Sequence, residues 1–305
     1  MATGGTRRSP LRPPSDTLEQ LAALALANAA EPASSRGRWI DSGSRSLVLL
    51  SGETAVRVAR QPMDSSDLLR SQALIDQLPP LPFGVPRSSG GPARLDGYVA
   101  IPTRRLRGEP HEPGHGNPTE LRQLLATIHG IDPEPIRPHL AEPRAYMGGG
   151  DWEHVLRTDV IPRLEPRLRR EARSRVEELA RLHSPDSTVN HGDLAGSNVL
   201  WSGGRVSAVL DWDLASIEDP AEDIAALAWW HGWSIIEELT DPTTVARARV
   251  FRRSFPLQAV AFSVIHSRPQ DELRRTIIRA EEDLRTTGES VPQASRAARQ
   301  RSDPS

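Results

Sequence analysis

The side chains best able to do chemistry in this 305-residue chain fall in one stretch, Val189-Asn-His-Gly-Asp193-Leu-Ala-Gly-Ser-Asn198-Val-Leu-Trp-Ser-Gly-Gly-Arg-Val-Ser-Ala-Val-Leu-Asp211-Trp-Asp213. Residues 199–201 and 206–210 are β-like runs separated by Ser202-Gly-Gly-Arg205, a spacing that predicts a hairpin. Asn198 and Asp211 flank it. Facing residues on antiparallel strands have Cα atoms about 5 Å apart, so Asn198 is expected within a residue or two of the position opposite Asp211. A carboxamide oxygen and a carboxylate are hard ligands, and Mg²⁺ favours one or two such groups together with waters and substrate phosphates. Asp193 stands in a loop that Gly192 and Gly196 allow to be tight, where it holds a second carboxylate beside that ion. In phosphoryl transfer to a hydroxyl, an aspartate so placed orients the nucleophile and accepts its proton.

The elements around this stretch divide the chain. Residues 46–50 and 54–59 read as two strands joined by a glycine turn at Ser51-Gly-Glu53. Alternation puts Ala55, Arg57 and Ala59 on one face and Val56 and Val58 on the other, so a long cation stands between two small neighbours. A helix over 66–78 ends at Pro79-Pro80, and a short strand follows over 97–101. Asn117-Pro-Thr-Glu120 has the form of a capping box, opening a helix whose buried stripe is Leu121, Leu124, Leu125 and Ile128. The stretch 163–181 alternates charge at helical spacing and reads as a solvated face. The expected organisation is a disordered arm (1–15), a small strand-rich lobe (16–103), a larger helical lobe (104–285) and a disordered tail (286–305).

The pattern His191-x-Asp193-x4-Asn198-x12-Asp211-Trp212 resembles the aminoglycoside phosphotransferase family of kinase-like small-molecule kinases. The resemblance continues through Asp219-Pro-Ala-Glu-Asp223-Ile-Ala225 and, upstream, Leu124-Leu-Ala-Thr-Ile-His129, and it covers residues 40–235. It implies an α+β, protein-kinase-like fold of two lobes, a small antiparallel sheet with one helix and a mainly helical partner, with the active site in the cleft between them. It implies Asp193 as catalytic base, Asn198 and Asp211 as Mg²⁺ ligands, and His191 as a packing residue. Arg57 falls where the family places its phosphate-pairing lysine, Gly43 and Ser44 where its nucleotide loop lies. Residues 98–103, among them Tyr98, Val99, Ala100 and Ile101, would form the hinge that binds adenine. Two positions depart from the family. The first-lobe cation is arginine, and no acid occupies the helix near Arg70-Ser71-Gln72 where a glutamate normally pairs with it.

The expected activity is ATP- or GTP- and Mg²⁺-dependent phosphorylation of a hydroxyl on a small molecule, with antibiotics among the possible acceptors. A non-catalytic nucleotide-binding module is the alternative, and a dinuclear hydrolase using His191, Asp193, Asp211 and Asp213 a more distant one. Asp219 reads as a helix cap, Asp223 as either a brace for the catalytic loop or a solvated acid. Trp229, Trp230 and Trp233 read as core, Glu281, Glu282 and Asp283 as a solvated acidic turn.

Composition narrows the partners. With 38 basic and 40 acidic residues the chain carries no global charge that would favour nucleic acid or an anionic membrane. Cysteine is absent, which removes disulfides, thiolate zinc sites and a cysteine nucleophile. Lysine is absent too, so every fixed cation is a planar guanidinium. No apolar run reaches about 18 residues. Arg7-Arg8 before residues 21–30 is a poor export signal because Asp16 and Glu19 intervene. A cytoplasmic enzyme is the expectation.

Overall fold

The computed structural model describes residues 13–31, 37–41, 43, 45–183 and 186–286. Expectations for the arm up to residue 12, for Ser44 and for the tail beyond residue 286 lie outside these. The chain divides into two units, one of Met1–Pro80 with Gly84–Arg107 and one of Leu81–Phe83 with Gly108–Ser305.

The first unit contains α1 (Ser15–Asn28), β1 (Arg38–Ile40), β2 (Ser46–Ser51), β3 (Thr54–Ala59), α2 (Ser65–Gln77), β4 (Ala93–Leu95) and β5 (Tyr98–Arg104). Its five strands form one antiparallel sheet in the order β1-β2-β3-β5-β4. Ser51 faces Thr54, so the β2–β3 turn is Gly52-Glu53, and Gly52 takes a φ of +52° there. The period-two pattern decides what each face meets. Leu47, Leu49, Val56, Val58 and Ala100 pack with Leu18, Leu21, Ala22 and Ala25 of α1. Ala59, Val99 and Ile101, on the other face, pack with Leu68 of α2. The expected boundary after Thr103 falls inside β5, because the ladder to β3 runs on to the pair Thr54–Arg104.

The second unit is mainly helical: α3 (Pro118–His129), α4 (Trp152–His154) running into a π-helical stretch (Val155–Val160), α5 (Arg169–Ala180), α6 (Ala221–His231), α7 (Trp233–Ile236), α8 (Pro242–Ile265) and α9 (Gln270–Arg285). Two small antiparallel ribbons complete it, β6 (Thr188–Asn190) with β9 (Ser216–Glu218) and β7 (Val199–Ser202) with β8 (Arg205–Val209). The α+β class and the sheet-then-helix order are as expected from the sequence.

α3 begins as read, with the Asn117 side chain accepting from the amides of Thr119 (3.0 Å) and Glu120 (3.4 Å) and all four stripe residues buried. Glu120 does not close a box. Its Oε2 accepts from the Val206 amide at 3.1 Å, beside the β7–β8 irregularity, where that donor needs a partner. The charged stretch 163–181 is not simply a solvated face. Arg175 is 1% exposed and donates to Glu171 (2.9 Å), Asp283 (2.8 Å) and the Arg253 carbonyl (3.0 Å). Asp283 also receives Arg252 at 3.1 Å, and Glu281 accepts from the Glu165 amide at 2.8 Å. The acidic turn of α9 is therefore occupied in holding α5 and α8.

Candidate active site

Local geometry assembles Asp193, Asn198 and Asp211 in the second unit. Gly203 and Gly204, at φ +57° and +77°, make the two-residue turn that lets β8 return along β7. Val199 faces Val209, and the Leu210 amide donates to the Asn198 carbonyl at 2.8 Å. Asp211, the next residue, adopts a left-handed conformation (φ 62°, ψ 61°) that turns the chain sharply out of the ribbon. Aspartate tolerates that region better than most side chains. The Asn198 amide nitrogen donates both to the Asp193 carbonyl (2.9 Å) and to Asp193 Oδ2 (3.0 Å). With its nitrogen so committed, the group that Asn198 presents to a cation is its carbonyl oxygen, a hard donor. The donor set of Asn198 and Asp211 thus fits Mg²⁺.

The loop bearing Asp193 is fixed from below. Asp223, fully buried at the start of α6, accepts from the amides of His191 (2.9 Å) and Gly192 (3.0 Å) and from His129 Nε2 (3.2 Å). Of its two sequence readings, the brace is the observed one. A buried carboxylate needs such donors, and here they preset the backbone of the Asp193 loop. His191 Nε2 donates to the Leu210 carbonyl at 2.8 Å while its Nδ1 accepts from the Asp193 amide at 3.2 Å. The same imidazole stands edge-on to buried Trp212, centroids 4.8 Å apart. His191 therefore ties the Asp193 loop to the Asp211 turn rather than merely filling space. Gly192 is required at φ +80°, where a Cβ would lie 2.6 Å from the Leu214 carbonyl oxygen. Asp219 caps α6 by accepting from the Ala221 amide (2.9 Å) and also pairs with Arg247 (2.9 Å).

Burial raises the Asp193 carboxyl above the usual carboxylate range, and Asp223 and Asp213 push in the same direction, against His191 and the Asn198 hydrogen bond. Tyr146 titrates well above the ordinary phenol range, chiefly through burial and then through the charge of Asp193. Its ring stacks on Phe262 (4.7 Å), which stacks on His266 (4.2 Å). This aromatic column was invisible in the sequence, since Tyr146 is far along the chain from Phe262 and His266 and none sits in a motif. Trp230 packs against the other side of the loop. A Cβ on Gly196 would come within 1.9 Å of its indole, so the turn before Asn198 admits only glycine.

In the first unit, Arg57 is buried (8% exposed) in the middle of β3, facing Val48 and Ile101, on the face shared with Ala59. The Gly43 carbonyl accepts from Arg60 Nε at 2.9 Å, and Arg60 also pairs with Asp41. On α2, Gln72 donates to Asp76 (3.1 Å) and the Pro86 carbonyl (3.0 Å). Tyr98 and Val99 pair with β4, Ile101 with β3, and Ala100 with both.

Over residues 26–252 the sequence matches the phosphotransferase enzyme family. Viomycin phosphotransferase of Streptomyces vinaceus is 31% identical over 222 residues, spanning 65% of this chain and 75% of that protein. The GDP complex of wild-type aminoglycoside 2'-phosphotransferase-IIIa has the same fold, with a TM-score of 0.70 at 15% identity over 88% of this chain and 99% of that one. A macrolide 2'-phosphotransferase from Brachybacterium faecium aligns with a TM-score of 0.60 at 18% identity, over 90% and 100%. The kinase-like fold is common to all of these structures, and with the family match it settles the lineage: the chain belongs to the phosphotransferase enzyme family and is a small-molecule kinase.

Proposed function

We propose that the chain transfers the γ-phosphoryl group of ATP or GTP to a hydroxyl of an antibiotic-like small molecule, with Mg²⁺ held by Asn198 and Asp211. The observation that carries this reading is the Asn198 side chain, whose nitrogen is bonded to Asp193 so that the base and a hard oxygen donor are locked in one geometry. Asp193 orients the acceptor hydroxyl and takes its proton as the oxygen bonds to the γ-phosphorus and the bond to the β-phosphate oxygen breaks, leaving a nucleoside diphosphate. The metal, when bound, supplies charge neutralisation at the phosphates. Arg57, Gly43 and Ser44 belong to the nucleotide side, Arg57 offering a fork that makes two charge-assisted hydrogen bonds to phosphate oxygens. Tyr98, Val99, Ala100 and Ile101, on the strand beside β3, belong to that side too. The Tyr146–Phe262–His266 column is the acceptor platform. Viomycin is the first acceptor to try, because the viomycin phosphotransferase is a relative at 31% identity.

The test is incubation of the purified chain with MgATP or MgGTP and, separately, viomycin, aminoglycosides and macrolides, followed by mass spectrometry. Gain of one phosphoryl group by an acceptor, dependent on Mg²⁺, is expected. Nucleotide binding with no phosphorylated acceptor in any mixture would count for the non-catalytic module.

A further inference from the structure

Behind the catalytic loop, three aromatic rings from three different segments meet. His111 stacks on Trp201 of β7 with centroids 3.9 Å apart, and both stand edge-on to His231, the last residue of α6, at 6.3 Å. Trp201 and His231 are 5% and 1% exposed. One nitrogen on each ring is buried with no hydrogen-bond partner in the protein: His111 Nδ1, Trp201 Nε1 and His231 Nε2. An orphaned buried polar atom costs about 1–3 kcal/mol, so three on rings in mutual contact demand a common explanation.

The protonation of the rings follows from their other contacts. His231 Nδ1 bonds the His115 carbonyl and must carry a proton to do so, which leaves Nε2 a bare lone pair. His111 Nδ1 has no protein partner and is a second lone pair or a second donor. Trp201 Nε1 is a donor only. Burial lowers the affinity of both imidazoles for a second proton, so they stay neutral. The site therefore presents one acceptor, one donor and a third nitrogen that serves as either. A water molecule is the complement, with two hydrogens to give and a lone pair to receive. An ammonium group would leave Trp201 unanswered, and a metal ion would find two imidazoles and no third ligand. Among the described residues no group of three or more His, Cys, Asp or Glu could hold one.

We propose that an occluded water molecule accepts from Trp201 Nε1 and donates to His111 Nδ1 and His231 Nε2, forming the centre of a knot that secures residues 109–116. The direct bonds of that segment lead to the same elements. Glu109 exchanges backbone hydrogen bonds with Trp201 (3.0 and 2.9 Å), the Gly114 amide donates to the Trp230 carbonyl (2.8 Å), and Trp230 Nε1 donates to the His111 carbonyl (2.9 Å). Trp230 is the residue packed on Gly196, so the water joins the support of the turn that carries Asn198.

A crystal structure of the full chain tests this, read with ¹⁵N-histidine NMR and with the His231→Phe and Trp201→Phe variants. One density peak about 2.7–3.2 Å from all three nitrogens is expected. The spectra should hold His231 as the Nδ1–H and His111 as the Nε2–H tautomer from about pH 5.5 to 8. In His231→Phe the water should be lost or should shift toward the remaining pair, and in Trp201→Phe its occupancy should fall. If a variant does not fold, the wild-type density and tautomers decide alone. An empty, collapsed ring cluster, or an anomalous scatterer bonded to both imidazoles after a Zn²⁺ soak, would overturn the assignment.

Discussion

At the residue scale the account rests on a division of labour between neighbouring side chains. Asp193 is bonded to Asn198 through both its carbonyl and its carboxylate, so changing the acid to an amide removes the proton acceptor while leaving the proposed metal ligands in place. Asp193→Asn should lower turnover about 10²- to 10⁴-fold with nucleotide affinity nearly intact, measured by titration calorimetry beside the rate. A large loss of nucleotide binding would reassign the residue. Arg57→Ala should act on the opposite terms. Loss of charge-assisted hydrogen bonds worth about 1.5–3 kcal/mol predicts a roughly 10- to 150-fold fall in kcat/KM for the nucleotide, and unchanged kinetics toward ATP and GTP would end the phosphate role. Tyr146→Ala should raise the acceptor KM and leave the nucleotide KM where it was. The first two sites were legible because their chemistry lies in spacing along a single stretch or in alternation along a strand. Tyr146 was not, because stacking on Phe262 is a product of tertiary packing that no local period encodes.

At the element scale, the loop between β6 and β7 is held by what the backbone cannot do elsewhere. Gly196 lies against the Trp230 indole, which is itself fixed by its bond to the His111 carbonyl, so the ring has little room to retreat. Gly196→Ala should cost about 1–3 kcal/mol in urea denaturation and raise the Mg²⁺ concentration needed for half-maximal rate, since the displaced turn carries Asn198. Wild-type stability in that variant would mean that the turn is softer than its packing implies. The hairpin between Asn198 and Asp211 was readable from Gly203-Gly204 flanked by strand-like apolar runs. A short apolar run does not reveal how many neighbours a strand has: β5 turned out to lie between β3 and β4, with Ala100 paired on both sides. Glu120 and Arg175 escaped for a related reason: capping and charge patterns predict local partners, and both residues found distant ones.

At the scale of the whole molecule, acid sensitivity is set by groups buried neutral. Burial depresses His231 to about 4 from an ordinary 6.5. The unfolded chain therefore binds more protons than the native one between those values, so stability rises with pH across that window and is lost as pH falls through it. The contribution is on the order of 3 kcal/mol by the size of the shift. Unfolding free energies at pH 7 and pH 4.5 should differ more in the wild type than in His231→Phe, and equal slopes would remove His231 as a cause. The order of strand-rich and helical parts was visible in the sequence, whereas the contacts of α9 with α5 and α8 were not, because they join side chains 108 and 31 residues apart that share no local pattern. The central claim, metal-assisted transfer to a hydroxyl with Asp193 as base, is tested most directly by acceptor-dependent nucleoside diphosphate release in the wild type and in Asp193→Asn, with and without Mg²⁺, using viomycin, aminoglycosides and macrolides as acceptors. The account predicts release that requires both Mg²⁺ and an acceptor and that nearly vanishes in the variant; undiminished acceptor-dependent release by Asp193→Asn would contradict it.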